Sequence, residues 1–291
     1  VAAIHAAKSG FKVALVEKDK VGGACYNVGC IPSKIMLEHS KLVQEIRRGT
    51  DWGITVPEIH IDFPKLMKRK DAVIEQLLLN IEGFIANAQI KMFRGEGIVN
   101  SDKTVTVDEV SFEAKNIILA TGSRPFVPPI KGGESANYHT TDTFFNLQAL
   151  PNQLTIIGGG VIAIEMAFAL APMGTKVTVL NHSADILQTE EPDARPIIKE
   201  KMKQLGINLV TNFKFEEIRP NEVVTSIGSF PYENLLFATG RRPNTKIAEH
   251  LGLEMAGHLI KVSNHYETSI PGVFAIGDLV GGFQLAHSAS A

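Results

Sequence analysis

The chain has 291 residues, 44% hydrophobic and 21% charged, with 29 basic against 31 acidic side chains and a formal net charge of -2. That composition excludes a disordered chain, no run of roughly eighteen apolar residues is present to span a membrane, and the even charge balance leaves no footprint for nucleic acid. The length predicts about two domains of roughly 100 to 200 residues each.

The chain opens on Val1 inside an Ala-rich helical pattern, so it is expected to be cut, with any targeting segment upstream. Gly10-Phe-Lys-Val-Ala-Leu-Val-Glu17 then reads as a buried strand ending on a carboxylate. A carboxylate so placed accepts hydrogen bonds from the ribose of an adenosine dinucleotide. The plainer alternative for Glu17 is an exposed charge. Next comes the Gly-rich string from Val21 to Lys34, with the chain's only two cysteines, Cys25 and Cys30. Two cysteines are too few for a disulfide-stapled secreted fold, which points to a reducing compartment. In a regular helix, Cα atoms five residues apart are roughly 8 to 9 Å from each other, beyond the roughly 7 Å that a disulfide spans. Two readings stand. Gly22, Gly23 and Gly29 allow a distorted first turn that bonds the sulfurs, with Pro32 removing one amide donor, or both thiols are reduced and pack as small hydrophobes.

Further on, Asp62 is placed to cap a helix with Pro64 in its first turn, and Leu66, Val73, Leu77, Ile81, Phe84 and Ala88 recur near helical period as its core stripe. Thr104-Val-Thr-Val107 belongs to a short antiparallel meander, followed by Asn116-Ile-Ile-Leu-Ala-Thr-Gly-Ser-Arg-Pro125. The segment from Leu154 to Leu180 is a complete strand–helix–strand unit: strand to Ile157, turn Gly158-Gly-Gly160-Val-Ile-Ala163, helix over 161–173, second strand over 176–180. Its G-x-G-x-x-A turn suits a pyrophosphate, because the first glycine turns tightly, the second admits the phosphates and the small third residue lets helix and strand pack closely. Gly174 to Asn181 repeats Gly10 to Glu17, and Val1 aligns with Glu165, so the first copy's strand and glycine turn are expected to end just before Val1. A second meander around Glu222-Val-Val-Thr225 leads to Asn234-Leu-Leu-Phe-Ala-Thr-Gly-Arg-Arg-Pro243, a repeat of 116–125. Val273-Phe-Ala-Ile-Gly-Asp278 is a last strand, expected to return to the first domain and make it discontinuous. The pattern predicts an α/β chain with two Rossmann-like dinucleotide-binding domains, each of parallel strands and an antiparallel meander. The nine histidines show no metal-ligand spacing, so no metal is expected.

Together, the cysteine pair within Cys25-Tyr-Asn-Val-Gly-Cys-Ile-Pro-Ser-Lys34, the duplicated dinucleotide unit, the paired Ala-Thr-Gly segments and the Ala-Ile-Gly-Asp strand resemble the class I pyridine nucleotide-disulfide oxidoreductases, and among them the dihydrolipoamide dehydrogenases. The resemblance covers essentially the whole chain. It implies an FAD domain from residues 1–145 and 265–291 around an NAD(P) domain from 146–264, and a redox-active disulfide between Cys25 and Cys30. Cys30 would be the thiol beside the flavin and Cys25 the one that exchanges with substrate. Lys34 and Glu165 would pair near the flavin ring. Glu17, Gly22, Gly23, Lys34, Gly97, Thr121, Gly122, Ser123, Asp278, Gln284, Leu285, Ala286 and His287 would contact FAD. Gly158, Gly160, Val161, Ile162, Glu165, Asn181 and Gly240 would serve the nicotinamide dinucleotide. The implied activity is oxidation of dihydrolipoamide by NAD+ through the disulfide and FAD, in the cytoplasm. The substrate group would be free or on a lipoyl carrier domain of a 2-oxo acid dehydrogenase or glycine cleavage complex.

Departures narrow the resemblance. Ala24 stands where the family has Thr, and Asn181 is neither the acid of an NAD site nor the Arg of an NADP site, so NADP stays open beside NAD. No His-Pro dipeptide occurs. The family's C-terminal dimerisation domain, with its acid-base His and Glu, is therefore expected outside this chain, as is the homodimer contact, and the 291-residue piece alone is expected to turn over lipoamide poorly or not at all. Two alternatives remain: a related NAD(P)H-dependent disulfide or mercuric reductase, and a non-catalytic flavoprotein or redox sensor.

Overall fold

In the computed structural model, which describes residues 1–290, the chain forms two units. Among the described residues, unit 1 comprises 1–25, 75–124 and 241–290, and unit 2 comprises 26–74 and 125–240.

Unit 2 contains the complete copy of the repeat. Its four-stranded parallel sheet runs Asn208–Thr211, Lys176–Asn181, Gln153–Ile157, Asn234–Phe237, with Leu154 opposite Val177 on one side and Asn234 on the other. Leu154, Thr155, Ile156 and Ile157 are all buried. A strand buried on both faces carries an unbroken run of apolar or β-branched residues instead of alternation, as this one does. Its helix, Val161–Leu170, buries Ala163, Ile164, Met166, Ala167, Ala169 and Leu170. The expected end at residue 173 is reached by a change of helix type: α-helix stops at Leu170 and Ala171–Met173 is a 3-10 turn containing Pro172, closed by Gly174 at φ 110°. Proline has no amide to donate, so the last turn tightens. The helix Cys30–Arg48 packs on Val161–Leu170, with Met36 and Met166 in one core cluster and Ser40 Oγ donating to the Phe168 carbonyl at 2.8 Å. Phe215–Arg219, Glu222–Thr225 and Gly228–Pro231 form the antiparallel meander.

The inserted helix is Phe63–Asn87, and Asp62 Oδ1 accepts from the Lys65 amide at 3.0 Å, as a cap should. Its buried stripe agrees with the expected one in part. Phe63, Leu66, Met67 and Ile74 are buried in unit 2 and Ile85 in unit 1, whereas Phe84 is 62% exposed. At 100° per residue, Phe63, Met67, Ile74 and Ile85 recur at the three- and four-residue spacings of one face. Of the expected stripe, Leu66 is buried and Ile81 and Ala88 pack against the cluster around Ile85 and Ile90, Val73 and Leu77 are half-buried, and Phe84 alone faces outward.

Unit 1 holds Ala14–Glu17 parallel to Lys91–Arg94, and Ile117–Leu119 parallel to the late strand Val273–Ala275. Gly97–Val99, Thr104–Val107 and Val110–Glu113 make its meander. Its larger core cluster gathers Val99, Val105, Ile117, Leu119, Val273 and Ala275. Among the described residues no helix is long and apolar enough to cross a membrane.

Candidate redox and dinucleotide sites

Cys25 and Cys30 are joined in a disulfide. Of the two readings of their spacing, the bonded one holds. The backbone allows it because helix is not continuous there: Gly23–Val28 is one short helix, Gly29 breaks it at φ -140°, ψ -108°, and Cys30 begins the next. Gly22 and Gly23 precede the first helix at φ 89° and 61°, in the left-handed region where a side chain would add strain.

Lys34 lies one turn after Cys30, so both residues sit on one side of the helix. Its Nζ meets Glu165 Oε1 at 2.6 Å, with the side chains 59% and 25% exposed. Water screens a pair this open, and its worth in stability is at most about 1 kcal/mol. Holding the two side chains in one geometry is its more evident effect.

In unit 2 the glycine turn follows the strand end. A Cβ on Gly158, which has φ 129°, would collide with the Ala238 carbonyl. One on Gly159 would lie 2.6 Å from Asn181 Cγ, while one on Gly160 would meet nothing within 4 Å. The outer glycine is therefore open to an approaching ligand, as a pyrophosphate cradle requires. Glu165 is on the helix that follows, with Val161 and Ile162 in its first turn. Asn181 is buried, and its Nδ2 donates to the carbonyls of Ser183 and Asp185 at 3.2 and 2.8 Å. Its amide is thus turned into the following loop, which is held to the turn by the Leu187 amide on the Gly159 carbonyl at 2.8 Å. Gly240, at φ 96°, ends the Ala-Thr-Gly segment of the same unit.

In unit 1, Glu17 closes its strand and its Oε1 accepts the Asp19 amide at 3.0 Å. Gly97 opens the meander against that strand: a Cβ there would be 3.0 Å from Val16 Cγ1. Ser123 Oγ donates to Asp278 Oδ2, joining two residues that sequence reasoning named separately. Thr121 Oγ1 donates to the Asn244 carbonyl at 3.0 Å, and Gly122 O accepts the Asn244 amide at 2.9 Å. Gln284, Leu285, Ala286 and His287 are exposed at the start of the short helix Ala286–Ser290.

Two residues escaped the sequence reading. Arg241 donates from Nε to Ser123 Oγ at 2.9 Å and from NH2 to the Ser123 carbonyl at 2.6 Å, and Asn244 Nδ2 donates to the Thr121 carbonyl at 2.8 Å. The signal was the internal repeat itself: Arg241 and Asn244 flank its second Arg-Pro, and each bonds to the first copy.

The family model for pyridine nucleotide-disulphide oxidoreductases matches residues 1–291. The chain belongs to this family. It is 37% identical over 298 residues to the dihydrolipoyl dehydrogenase of Acholeplasma laidlawii, covering 99% of this chain and 89% of that protein. It is also 37% identical over 308 residues to the dihydrolipoyl dehydrogenase of Geobacillus stearothermophilus, of which it spans 65%. Among solved structures it resembles the HOCl-induced flavoprotein disulfide reductase RclA from Escherichia coli, with a TM-score of 0.87 at 27% identity, covering 99% of this chain and 65% of that one. Dihydrolipoyl dehydrogenases use FAD and NAD, and the open glycine turn, the strand-end Glu17 and the Ser123–Asp278 pair are residue types that fit such groups.

Proposed function

We propose that this chain carries the redox core of a dihydrolipoamide dehydrogenase. The observation that carries the reading is the Cys25–Cys30 disulfide at the start of a helix whose next turn holds the Lys34–Glu165 pair. Unit 1 supports FAD through Glu17, Gly22, Gly23, Gly97, Thr121, Gly122, Ser123 and Asp278, with 284–287 beside them. Unit 2 supports the nicotinamide dinucleotide through Gly158, Gly160, Val161, Ile162, Glu165 and Gly240. Asn181 stands against that turn, with its Nδ2 held by the loop that follows. When bound, FAD supplies two-electron transfer between the cysteine pair and the nicotinamide.

The chain's own part is thiol–disulfide exchange. A thiolate of dihydrolipoamide attacks Cys25 Sγ; a substrate–Cys25 disulfide forms, the Cys25–Cys30 bond breaks and Cys30 leaves as thiolate. The second substrate thiol, once deprotonated, attacks the substrate sulfur of that mixed disulfide. This closes the cyclic disulfide and frees Cys25 as thiolate, so two electrons enter the protein and two protons are released. Cys30 is the first residue of a 19-residue helix, where the helix dipole and the cation of Lys34 favour negative charge. The natural setting is a cytoplasmic homodimer acting on lipoyl groups of a 2-oxo acid dehydrogenase or glycine cleavage complex.

A second reading, an NAD(P)H-driven disulfide reductase, draws support from the likeness to RclA and from the absence of an acid at Asn181. Anaerobic titration of the FAD-loaded protein separates the two. Under the dehydrogenase reading, dihydrolipoamide raises a long-wavelength absorption band that NAD+ abolishes. Cys25→Ser keeps that band in the resting protein, because its Cys30 thiolate stays beside FAD, and Cys30→Ser loses it. A band raised by NADPH but not by dihydrolipoamide would transfer the assignment to the reductases.

A further inference from the structure

The glycine turn of unit 2 is backed by a loop that carries strain of its own. Between the strand Lys176–Asn181 and the helix Ala194–Gln204, residues 182–193 return to the turn, where the Leu187 amide donates to the Gly159 carbonyl at 2.8 Å. Leu187 makes that bond at φ 50°, in the left-handed region that a leucine enters only under constraint. Its side chain and that of Ile186 are buried in the main core cluster of the unit.

Charged and polar side chains fix the loop on both sides of Leu187. Arg195, largely buried, donates from NH2 to the carbonyls of Gln188 and Glu190 at 3.1 and 2.9 Å. On the other side, Lys199 Nζ meets Asp185 Oδ1 at 2.7 Å and the Asp185 carbonyl accepts from Asn181 Nδ2 at 2.8 Å. The effect reaches the glycine turn through one peptide unit. A trans peptide is planar, with its C=O and N–H pointing in opposite directions. Because the Gly159 carbonyl and the Gly160 amide belong to the same unit, holding the carbonyl to Leu187 turns the Gly160 N–H away from the loop. Gly160 precedes the helix Val161–Leu170, and the space beside it is open: a Cβ there would meet nothing within 4 Å. An amide so placed joins the free donors at a helix start that suit a phosphate.

We propose that Leu187 and Arg195 are positioning residues for the nicotinamide dinucleotide: Arg195 holds Leu187 in its left-handed conformation, and the Leu187 amide aims the Gly160 N–H at the pyrophosphate. The inference rests on the reading of unit 2 as the dinucleotide unit. Its action runs through the Gly159–Gly160 peptide, with no contact between either side chain and the ligand required.

The test titrates ADP-ribose, which carries the pyrophosphate without redox chemistry, into the FAD-loaded protein by calorimetry, and follows amide hydrogen exchange in parallel. Arg195→Met keeps the apolar stem and removes the donors; it should weaken ADP-ribose by about tenfold, the size of one hydrogen bond to a charged group. Exchange at the Leu187 amide should speed up, while Lys176–Asn181 and Asn234–Phe237 stay as protected as before and report an intact fold. Arg195→Lys, which returns a cationic donor to the same carbonyls, should recover part of the loss. Leu187→Pro removes the amide and cannot take a positive φ; it should weaken binding at least as much, and adding Arg195→Met to it should cost nothing further, because both break one link. Undiminished binding by Arg195→Met, unchanged exchange at Leu187, or additive losses in the double variant would each overturn the positioning role. Weakened binding with faster exchange throughout the two strands would make Arg195 a support of the fold and overturn it as well. Failure of the unaltered protein to bind ADP-ribose would instead overturn the reading of unit 2, and the positioning role with it.

Discussion

At the scale of single residues, the glycine turn of unit 2 and the buried Asn181 constrain each other. Gly159→Ala puts a methyl group against Asn181 Cγ, which cannot retreat without giving up its bonds to Ser183 and Asp185. The cost should be about 1–3 kcal/mol by denaturant unfolding, and Gly159→Ala with Asn181→Ala together should cost less than the sum of the single changes. Additive costs would show that the two do not press on each other. His139 supplies a pH dependence. Burial holds its imidazole below the ordinary value of 6.5, against an opposing hydrogen bond with the Asn234 side chain. Its ring faces Thr143 Oγ1 at 3.4 Å and the Phe144 ring at 6.0 Å between centroids. The folded chain therefore binds fewer protons than the unfolded one as pH falls through 6.5, so stability is present above that value and declines below it. His139→Gln should flatten the denaturant midpoint between pH 7.5 and 5.5, and an unchanged slope would remove His139 as its source. Most chemistry-bearing residues were legible because their spacing is set by short local motifs. Asn181's inward turn was not, because it depends on carbonyls of a loop whose path no spacing reveals.

The elements follow their patterns where each packs within a single core. The strand 153–157 was readable because a short apolar and β-branched run between Pro151 and Gly158 has few other solutions, and the break at Gly29 belongs to one of the two readings that glycine content allowed. The long helix 63–87 misled at Phe84 because it serves cores in both units and carries apolar residues on its outer side too, Leu79 among them. Lys70 on that helix is 3% exposed, and its Nζ donates to the Phe145 carbonyl at 2.6 Å and meets Asp71 Oδ1 at 2.7 Å. A buried lysine is costly to hold, so a methionine of similar length would relieve desolvation. The Phe145 carbonyl would lose its donor inside a buried segment, and that loss should dominate at about 1–3 kcal/mol. Lys70→Met should therefore lower the thermal midpoint, and a rise would show that desolvation wins.

Across the whole molecule the division into units was less legible than the repeat that underlies it, because residues 26–74 join unit 2 through the packing of helix 30–48, which is a matter of long-range contact. The two units differ in degree: the parallel strands of unit 2 at 153–157, 176–181 and 234–237 are buried along most of their length, whereas its edge strand 208–211 and those at 14–17 and 91–94 in unit 1 are only partly covered. Limited proteolysis in rising urea should cut unit 1 first, within 1–25 or 241–290, with unit 2 fragments persisting; simultaneous loss would mean that the chain opens as one body. The bonds that Thr121, Gly122 and Ser123 exchange with Arg241 and Asn244 carry another consequence. They fasten the two ends of segment 125–240 side by side, like the stem of a hairpin whose loop is most of a domain. For so long a loop, lengthening costs little, since closure entropy rises only slowly with length. Insertions at exposed turns within 125–240 should therefore leave the stem undisturbed.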